Sequence, residues 1–215
     1  MIDYFEECIH MDRMQTDKRK IRGESSKSKI IEAGKTLFLE NGYKDTTISM
    51  ISKQAKTGYG TAYTHFPGGK EEIFFIIIDE ILKEFYQIAS VAYHVNSKED
   101  SLILTRGNIE MFLKLAIKHQ QTLKVFHEAI GVSHIINEKW EKFIEKFIKR
   151  ISINIQQAMD KGLTHHCDFD PEVVAGVLFY TGEKYMWKIA LNKTDKDYRT
   201  ISESLAQMYV NGLYK

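Results

Sequence analysis

The chain contains few residues that interrupt helices or cross-link a fold. Only 2 prolines and 2 cysteines occur in 215 residues. Because proline interrupts both helices and central strands, its scarcity favours long helices. The cysteines, Cys8 and Cys167, lie far apart in the sequence and predict free thiols in a reducing compartment. A disulfide between them is the alternative.

Long hydrophobic runs are also absent. No apolar run approaches the roughly 18 residues that a helix needs to cross a bilayer. The N-terminal segment MIDYFEECIHMDRM is acidic, and it lacks the basic region followed by an apolar run that marks a secretory signal. We therefore expect a cytoplasmic protein without a membrane anchor.

The net charge of the chain is close to zero, but the charged residues are unevenly distributed along it. The net charge is +1, yet residues 18–70 carry eleven Lys or Arg against four acidic residues, a local net of +7. Residues 1–17 have a net charge of −4 and residues 71–215 a net charge of −2. A basic segment on a near-neutral remainder is typical of a module that binds a polyanion, and a solvated charged face is the alternative.

Apolar residues recur at helical spacing along most of the chain, and this periodicity predicts an all-α protein of about nine helices. We expect the first helix to begin at Ser26 or Ser28 and to stop at Gly42, because serine caps helix starts and glycine ends helices. A second helix should begin after Thr46 or Thr47. The other helices are predicted at 60–66, from Lys70 to the polar break at 94–100, and at about 101–118, 121–130, 137–161, 171–190 and 198–213.

The stretch ISMISKQAKTGYGTAYTHFPGG, residues 48–69, contains two short segments with apolar residues at helical spacing. Gly58 is expected to allow a tight turn between them, and Pro67 to end the second. Two helices joined by a short turn form a helix-turn-helix, whose second helix lies in the major groove of DNA. A helical hairpin with its aromatic residues in the core is the alternative, and spacing alone does not separate the two.

The outward face of that second helix is the expected DNA-reading surface. Ala62 and Phe66 should turn inward, and the Tyr63 hydroxyl should reach a phosphate, since hydroxyl groups are typical phosphate partners. The residues expected to face outward are Tyr59, Thr61, Thr64 and His65.

Residues 30–74, IIEAGKTLFLENGYKDTTISMISKQAKTGYGTAYTHFPGGKEEIF, resemble the N-terminal DNA-binding region of the TetR family of transcriptional repressors. The agreement keeps its register over the whole segment. The rest of the chain resembles the family only in length and helicity. The residues that carry the resemblance are Ala33, Leu37, Phe38, Gly42, Tyr43, Thr46, Thr47, Ile48, Ile51, Ala55, Gly60, Thr61, Tyr63, Phe66, Lys70 and Glu71.

The resemblance implies a three-helix DNA-binding domain, a fourth helix leading into a helical ligand-binding domain, and a homodimer on a near-palindromic double-stranded DNA operator. It also implies a repressor that a small apolar or amphipathic effector releases from DNA. Residues 1–25 would form an N-terminal extension, basic from Lys18, followed by a helix-turn-helix domain at 26–68 and a ligand-binding and dimerisation domain at 69–215. The implied DNA contacts fall on Thr47, Tyr59, Gly60, Thr61, Tyr63, Thr64, His65 and Lys70.

Two departures from the family pattern concern this surface. Gly58 and Tyr59 stand where the family often has Ser-Lys, so an aromatic ring replaces a cation. The segment FPGGKEE has one residue more than the commonest spacing between Phe66 and Lys70, and the turn should absorb the extra glycine. Ahead of the first helix, the basic segment 18–29 is predicted to follow the DNA backbone or to enter a minor groove. A disordered polar tail is the alternative.

Aromatic residues at helical spacing distinguish the C-terminal part. Each is most simply a core residue, but the family surrounds an effector pocket with these helices, and such pockets combine apolar walls with a few polar groups. The last two predicted helices have apolar faces that form a four-helix bundle with a second copy in the family, and closure of the intrachain core is the alternative. The candidate pocket residues are Phe85, Phe112, Phe126, His127, Phe143, Phe147, Tyr180, Glu183 and Trp187.

Other functions have weaker signals. The HHCD segment, 165–168, places adjacent side chains in divergent directions, so we expect neither a metal nor a cofactor. An enzyme is not expected either, since the sequence lacks a glycine-rich phosphate loop, a His-x-x-x-His pair and a Gly-x-Ser-x-Gly elbow. A constitutive DNA-binding protein without an effector is the main alternative. A filled C-terminal core would favour it, whereas a cavity on the order of several hundred Å3 would favour a sensor.

Overall fold

A computed structural model describes the backbone of residues 3–91, 94–165 and 169–215, and the side chains from residue 23 onward in those ranges. Within them the chain is helical, without strands, which confirms the predicted all-α class; one isolated antiparallel bridge joins Thr164 to Tyr214. The helices are α1 (Asp3–Asp45), α2 (Ile48–Gln54), α3 (Tyr59–His65), α4 (Gly69–Ser90), α5 (Lys98–Lys118), α6 (Gln120–Val132), α7 (His134–Asp160), α8 (Pro171–Ala190) and α9 (Tyr198–Leu213).

The start of the first helix was predicted wrongly. α1 begins at Asp3, so Ser26 and Ser28 lie inside it. Between residues 3 and 33 the chain has one glycine and no proline, and serine only prefers the cap position without terminating a helix that precedes it. The predicted stop is confirmed, because Gly42 has φ 81° and interrupts the helical backbone.

Residues 1–77 form one compact unit that contains α1, α2, α3 and the first turns of α4. Phe38, Tyr43 and Phe74 are buried in its core, with ring centroids 4.9 to 5.8 Å apart. Gly34 lets α1 approach α4 closely, since a Cβ atom there would lie 2.7 Å from Ile73 Cγ2. The unit ends inside α4, later than the domain change expected at residue 69.

Residues 78–215 form the second unit. In it α5 packs against α8 and α9, and α7 packs against α6 and α8. Asp170 caps α8 as predicted: its carboxylate accepts hydrogen bonds from the backbone N–H groups of Glu172 and Val173 at 2.9 and 3.0 Å. Because Pro171 has no N–H to lose at the first helical position, the Asp-Pro pair starts this helix efficiently.

Candidate DNA-binding surface and ligand cavity

Two adjacent threonines fix the start of α2. Thr46 is buried, and its hydroxyl donates to the carbonyls of Gly42 at 2.7 Å and Leu37 at 3.1 Å. Thr47 is the N-cap, and its hydroxyl accepts a hydrogen bond from the Met50 N–H at 3.3 Å. Since Thr47 is exposed and only accepts here, its own hydroxyl proton can be donated outward.

The turn between α2 and α3 contains the glycine that the sequence suggested and, before it, a lysine with an unusual backbone conformation. Lys56 has φ 54°, in the left-handed region, whereas Gly58 has φ −67° and serves as the extended N-cap of α3. The Thr57 N–H donates to the Ser52 carbonyl at 3.0 Å and closes the end of α2. Gly58 thus lies in the turn where it was predicted, and the left-handed conformation falls on Lys56, which the sequence did not indicate.

The two faces of α3 are divided as predicted. Ala62 and Phe66 are fully buried against the rest of the unit. Tyr59 is 55% exposed and Tyr63 40% exposed. Thr61 and Thr64 are exposed as well, and His65 is half-buried. The residues named for DNA contact on this helix thus share one accessible surface.

Tyr59 and Tyr63 form a pair on that surface. Their ring centroids are 5.2 Å apart in a T-shaped arrangement. A side-chain hydrogen bond with Tyr59 is the main cause that raises the pKa of Tyr63 above its ordinary value. The Tyr63 ring also lies beside Gly69, where an added Cβ would come within 3.6 Å of it. Tyr63 is therefore held against the turn after α3.

Gly60 leaves the backbone of α3 uncovered. It lies inside the helix and is exposed, and a Cβ atom added there would meet nothing within 4 Å. A glycine inside a helix costs roughly 0.5–1 kcal/mol relative to alanine. No contact within the first unit requires that cost, so the open space suits close approach by a partner from outside.

Lys70 has a structural role, and the predicted phosphate contact has to be corrected. Its ammonium group donates to the carbonyls of Tyr43 at 2.9 Å, Thr46 at 3.0 Å and Lys44 at 3.2 Å. Those bonds use all three of its N–H donors. The Tyr43 hydroxyl in turn donates to Glu71 Oε1 at 3.1 Å. The ammonium group of Lys70, which follows the extra glycine, is thus directed at the backbone of its own domain.

The second unit contains a cavity of about 90 Å3. Its walls come from α4, α5, α7, α8 and α9 and include Ile88, Phe112, Phe147 and Phe179, together with the last tyrosines of the chain. The residues that line it carry no charged side chain. Phe112 and Phe147 were predicted to line a pocket, and both contribute to this one.

The other predicted pocket residues lie elsewhere. Phe85 packs behind Phe112, with ring centroids 4.8 Å apart, and Tyr180 is 52% exposed on the surface. Periodicity identifies the face of a helix, but it cannot tell whether a ring borders a void or another ring. The remaining residues gather in an aromatic cluster around Trp140, which contacts the cavity wall through Phe143 and Phe147. They are Phe126, His127, Phe143, Glu183 and Trp187, and none of them lines the cavity.

Glu183 gives this aromatic cluster a half-buried acid. Its carboxylate accepts a hydrogen bond from the Trp187 indole N–H at 2.9 Å. Burial is the main cause that raises the pKa of Glu183, and the hydrogen bond from Trp187 opposes that rise. Burial likewise lowers the pKa of His127, whose ring lies 5.1 Å from that of Trp187. These groups lie where α6, α7 and α8 pack together, and they are not among the residues that line the cavity.

Two asparagines of the cavity were missed in the sequence. Asn108 on α5 and Asn154 on α7 both contribute to its wall. The Asn154 carbonyl oxygen accepts a hydrogen bond from Arg150 at 2.8 Å, which leaves its amide N–H groups for a ligand. The available signal was an amide flanked by apolar residues at helical spacing, such as Ile109 and Phe112 beside Asn108.

The sequence also predicted neither a membrane-spanning helix nor a metal site. No helix in the described ranges is long and apolar enough to cross a membrane. Among the same residues no group of three or more His, Cys, Asp or Glu could hold a metal ion. The HHCD segment is only partly covered, because His166, Cys167 and Asp168 lie outside the described residues, as do the side chains of Cys8 and of the basic residues 18–22.

Comparison with known proteins agrees with this architecture. The family described as "Bacterial regulatory proteins, tetR family" matches residues 30–76. The HTH-type transcriptional regulator YhgD of Bacillus subtilis is 30% identical over 209 residues, covering 93% of this chain and 98% of that protein. QacR of Staphylococcus aureus, also an HTH-type transcriptional regulator, is 24% identical over 200 residues, covering 88% of this chain and 98% of QacR.

Solved structures show the same fold. The SmeT–triclosan complex superposes with a TM-score of 0.71 at 18% identity, covering 88% of this chain and 92% of SmeT. NalD, the secondary repressor of the MexAB-OprM multidrug efflux pump in Pseudomonas aeruginosa, gives a TM-score of 0.68 at 18% identity, covering 89% of this chain and 97% of NalD. This chain therefore belongs to the TetR family and is a DNA-binding transcriptional regulator.

Proposed function

We propose that this regulator is a cytoplasmic repressor that binds a near-palindromic operator as a homodimer and leaves it when a small molecule binds. The observation that carries the proposal is the exposed face of α3. It combines Tyr59, Thr61 and Thr64 with the uncovered backbone at Gly60. The second helix of a helix-turn-helix lies in the major groove, and this face meets the steric requirement for that position.

Contacts to the DNA backbone are expected around this helix. The Thr47 hydroxyl has a proton to donate, and the Tyr63 hydroxyl lies at the edge of the same surface. Both are suitable partners for phosphate oxygens, which position a protein without reading sequence. The half-buried His65 would add a donor at the end of α3. The basic segment 18–29 would contribute salt-dependent affinity.

Dimerisation is proposed to use α8 and α9. Val173 on α8 and Met208 on α9 are 66% and 63% exposed, and Val177 and Tyr180 on α8 are exposed as well. Exposed apolar groups gathered in this way are typical of a protein–protein interface. A two-fold dimer would present two α3 helices one duplex turn apart, about 34–36 Å.

The effector is proposed to occupy the cavity of the second unit. α4 is the element suited to transmit its binding, because Gly69 begins the helix next to α3 while Ile88 near its end lines the cavity. An effector would prefer the form whose two α3 helices are wrongly spaced for adjacent major grooves, and so weaken operator binding. SmeT is named in complex with triclosan, which makes triclosan a reasonable first probe.

A constitutive DNA-binding protein is the second candidate function, and the size of the cavity favours it. Pockets for drug-sized ligands usually measure roughly 300–1,000 Å3, whereas this cavity measures about 90 Å3. A sensor of this kind would have to widen the cavity when it binds a ligand.

The test is operator binding with and without candidate effectors. DNA upstream of the regulator's own gene would first be footprinted, and fluorescence anisotropy would then measure affinity as salt is varied. We expect affinity to fall steeply with salt and to fall again when triclosan or another neutral apolar compound is added. Binding that no tested compound changes would favour the constitutive candidate, and the absence of any footprint would count against an operator in that region.

A further inference from the structure

The exposed face of α3 lacks the side chains that most often identify bases. Guanine is commonly read by Arg or Lys, adenine by Asn or Gln, and cytosine by Asp or Glu. α3 has the sequence YGTAYTH and contains none of these six residue types. Lys53 and Lys56 are the neighbouring cations in sequence, and they lie in α2 and in the turn before α3. Base reading by α3 must therefore use other groups.

Part of the hydrogen-bonding capacity of this face is already used within the domain. The Thr64 hydroxyl donates to the Gly60 carbonyl at 2.9 Å. Tyr63 is engaged with Tyr59 and lies against Gly69. The groups left for a partner are the methyl groups of Thr61 and Thr64, the exposed ring of Tyr59, the bare backbone at Gly60, the Thr61 hydroxyl and the half-buried His65 ring. Neither that hydroxyl nor the imidazole offers the paired hydrogen bonds that identify guanine or adenine, so the apolar groups are the larger part of what remains to tell bases apart.

Only one base offers an apolar group to such a surface. In the major groove, thymine presents its C5 methyl group beside the O4 acceptor, whereas adenine, guanine and cytosine present only polar groups and ring edges. Threonine methyl groups and aromatic rings are established partners of the thymine methyl.

We propose that this regulator identifies its operator mainly through thymine C5 methyl groups, which contact the methyl groups of Thr61 and Thr64 and the ring of Tyr59. The inference rests on the proposed operator binding, because it requires α3 in the major groove. It adds the chemical class of the sequence that is read: each half-site carries A·T pairs where α3 faces the bases. Burial of one methyl group corresponds to about a four-fold change in affinity, so three contacts give substantial discrimination.

The experiment replaces thymine with uracil, which lacks the C5 methyl and keeps every hydrogen-bonding group. Duplexes that bind the full-length chain are selected from a randomised pool, and each thymine of the selected half-site is then changed singly to uracil. We expect affinity to fall about four-fold at each contacted thymine and to stay unchanged at the others.

Serine variants assign the contacts. Thr61→Ser and Thr64→Ser remove a methyl group and keep the hydroxyl, which at position 64 can still donate to Gly60. Each variant should bind thymine and uracil duplexes equally at one position, since the partner of that methyl group is gone. Thr36→Ser is the matched control, because the exposed Thr36 hydroxyl also donates to a carbonyl four residues earlier, that of Glu32, at 3.0 Å.

Three results would overturn the inference, and they are distinguishable. If the selected half-site depends on guanines, so that 7-deazaguanine abolishes binding while uracil has no effect, operator binding stands and methyl reading is wrong. If uracil losses occur but persist unchanged in both serine variants and in Tyr59→Ala, α3 is not the reader. If no duplex is selected at all, the operator-binding function fails and the inference fails with it.

Discussion

Two glycines show how the two units of this chain differ. Gly60 in α3 and Gly182 in α8 both lie inside helices, and a Cβ atom added to either would meet nothing within 4 Å. The space beside Gly60 is open to solvent, whereas Gly182 is buried and its space is the cavity. The same omission of a side chain thus leaves open space on the surface of one unit and inside the other.

The aromatic residues divide in the same way. The first unit buries Phe38, Tyr43 and Phe74 but leaves Tyr59 and Tyr63 on its surface. The second unit arranges its rings in a chain around the cavity, with Phe147 and Phe179 4.9 Å apart. A short helix covered on one side can present rings to DNA, while rings on long helices packed on several sides have only each other or a void to contact.

The largest expected effect concerns the hydrogen bonds that Lys70 makes within the first unit. Lys70→Met removes the three hydrogen bonds that the ammonium group donates to backbone carbonyls. The three carbonyls then lose this charged partner. We expect the free energy of unfolding to fall by about 2–3 kcal/mol, measured by urea denaturation. Lys35→Met, at an exposed position of α1, is the control and should change it by less than about 0.5 kcal/mol. A similar loss in both variants would show that Lys70 is an ordinary surface lysine.

The second prediction tests whether the space beside Gly182 is a ligand site. Gly182→Leu should fill the cavity and lower the affinity for a neutral apolar ligand such as triclosan by roughly ten-fold or more, while operator affinity stays unchanged. Calorimetry measures the first quantity and fluorescence anisotropy the second. Gly107→Leu is the control, because Gly107 also has free space around it but does not line the cavity. Unchanged ligand affinity in Gly182→Leu would place the ligand elsewhere.

The third prediction tests the open space beside Gly60 on the surface of the first unit. Gly60→Ala should weaken operator binding by roughly ten-fold while raising the free energy of unfolding by about 0.5–1 kcal/mol, because alanine suits a helix better than glycine. Gly107→Ala should give a similar gain in stability without any change in DNA affinity. A loss of operator affinity together with a gain in the free energy of unfolding would show that the space beside Gly60 is kept open for DNA. Equal operator affinity in the two variants would remove that role.

The smallest effect is a pH dependence in the second unit. Because burial raises the pKa of Glu183, the folded state holds its proton more tightly than the unfolded state does. The stability from this group is fully present below the ordinary carboxyl pKa and is lost as pH rises through the raised value. Glu183→Gln should therefore remove a decrease in the free energy of unfolding as pH rises from about 4 towards neutral. Identical pH profiles for the two proteins would contradict the assignment.

Short-range features of the first unit could be predicted from the sequence. Thr47 was one of two proposed caps, Gly42 was expected to end the helix, and the inward and outward residues of α3 were separated correctly. These features depend on one or two turns of chain. The left-handed conformation of Lys56 was not predicted. It is imposed by closure of α2, and nothing about a lysine in the sequence indicates it.

Long-range features of the second unit could be predicted only in part. Phe112 and Phe147 line the cavity as expected, but Tyr180 faces outward, and Glu183 bonds to Trp187 and does not line the cavity. Helical periodicity assigns a residue to a face. It does not state which helix covers that face or how well the side chains fill the space between them.

By itself the sequence determined the helices, the helix-turn-helix and the family, because caps, glycines and apolar spacing act within a few residues of each other. Only the tertiary structure decided that Lys70 ties its own domain together, that Asn108 and Asn154 reach the cavity, and that Gly182 leaves it space. Those roles depend on which distant segments meet. The geometry of that meeting is set by the packing of whole helices, which no local pattern contains.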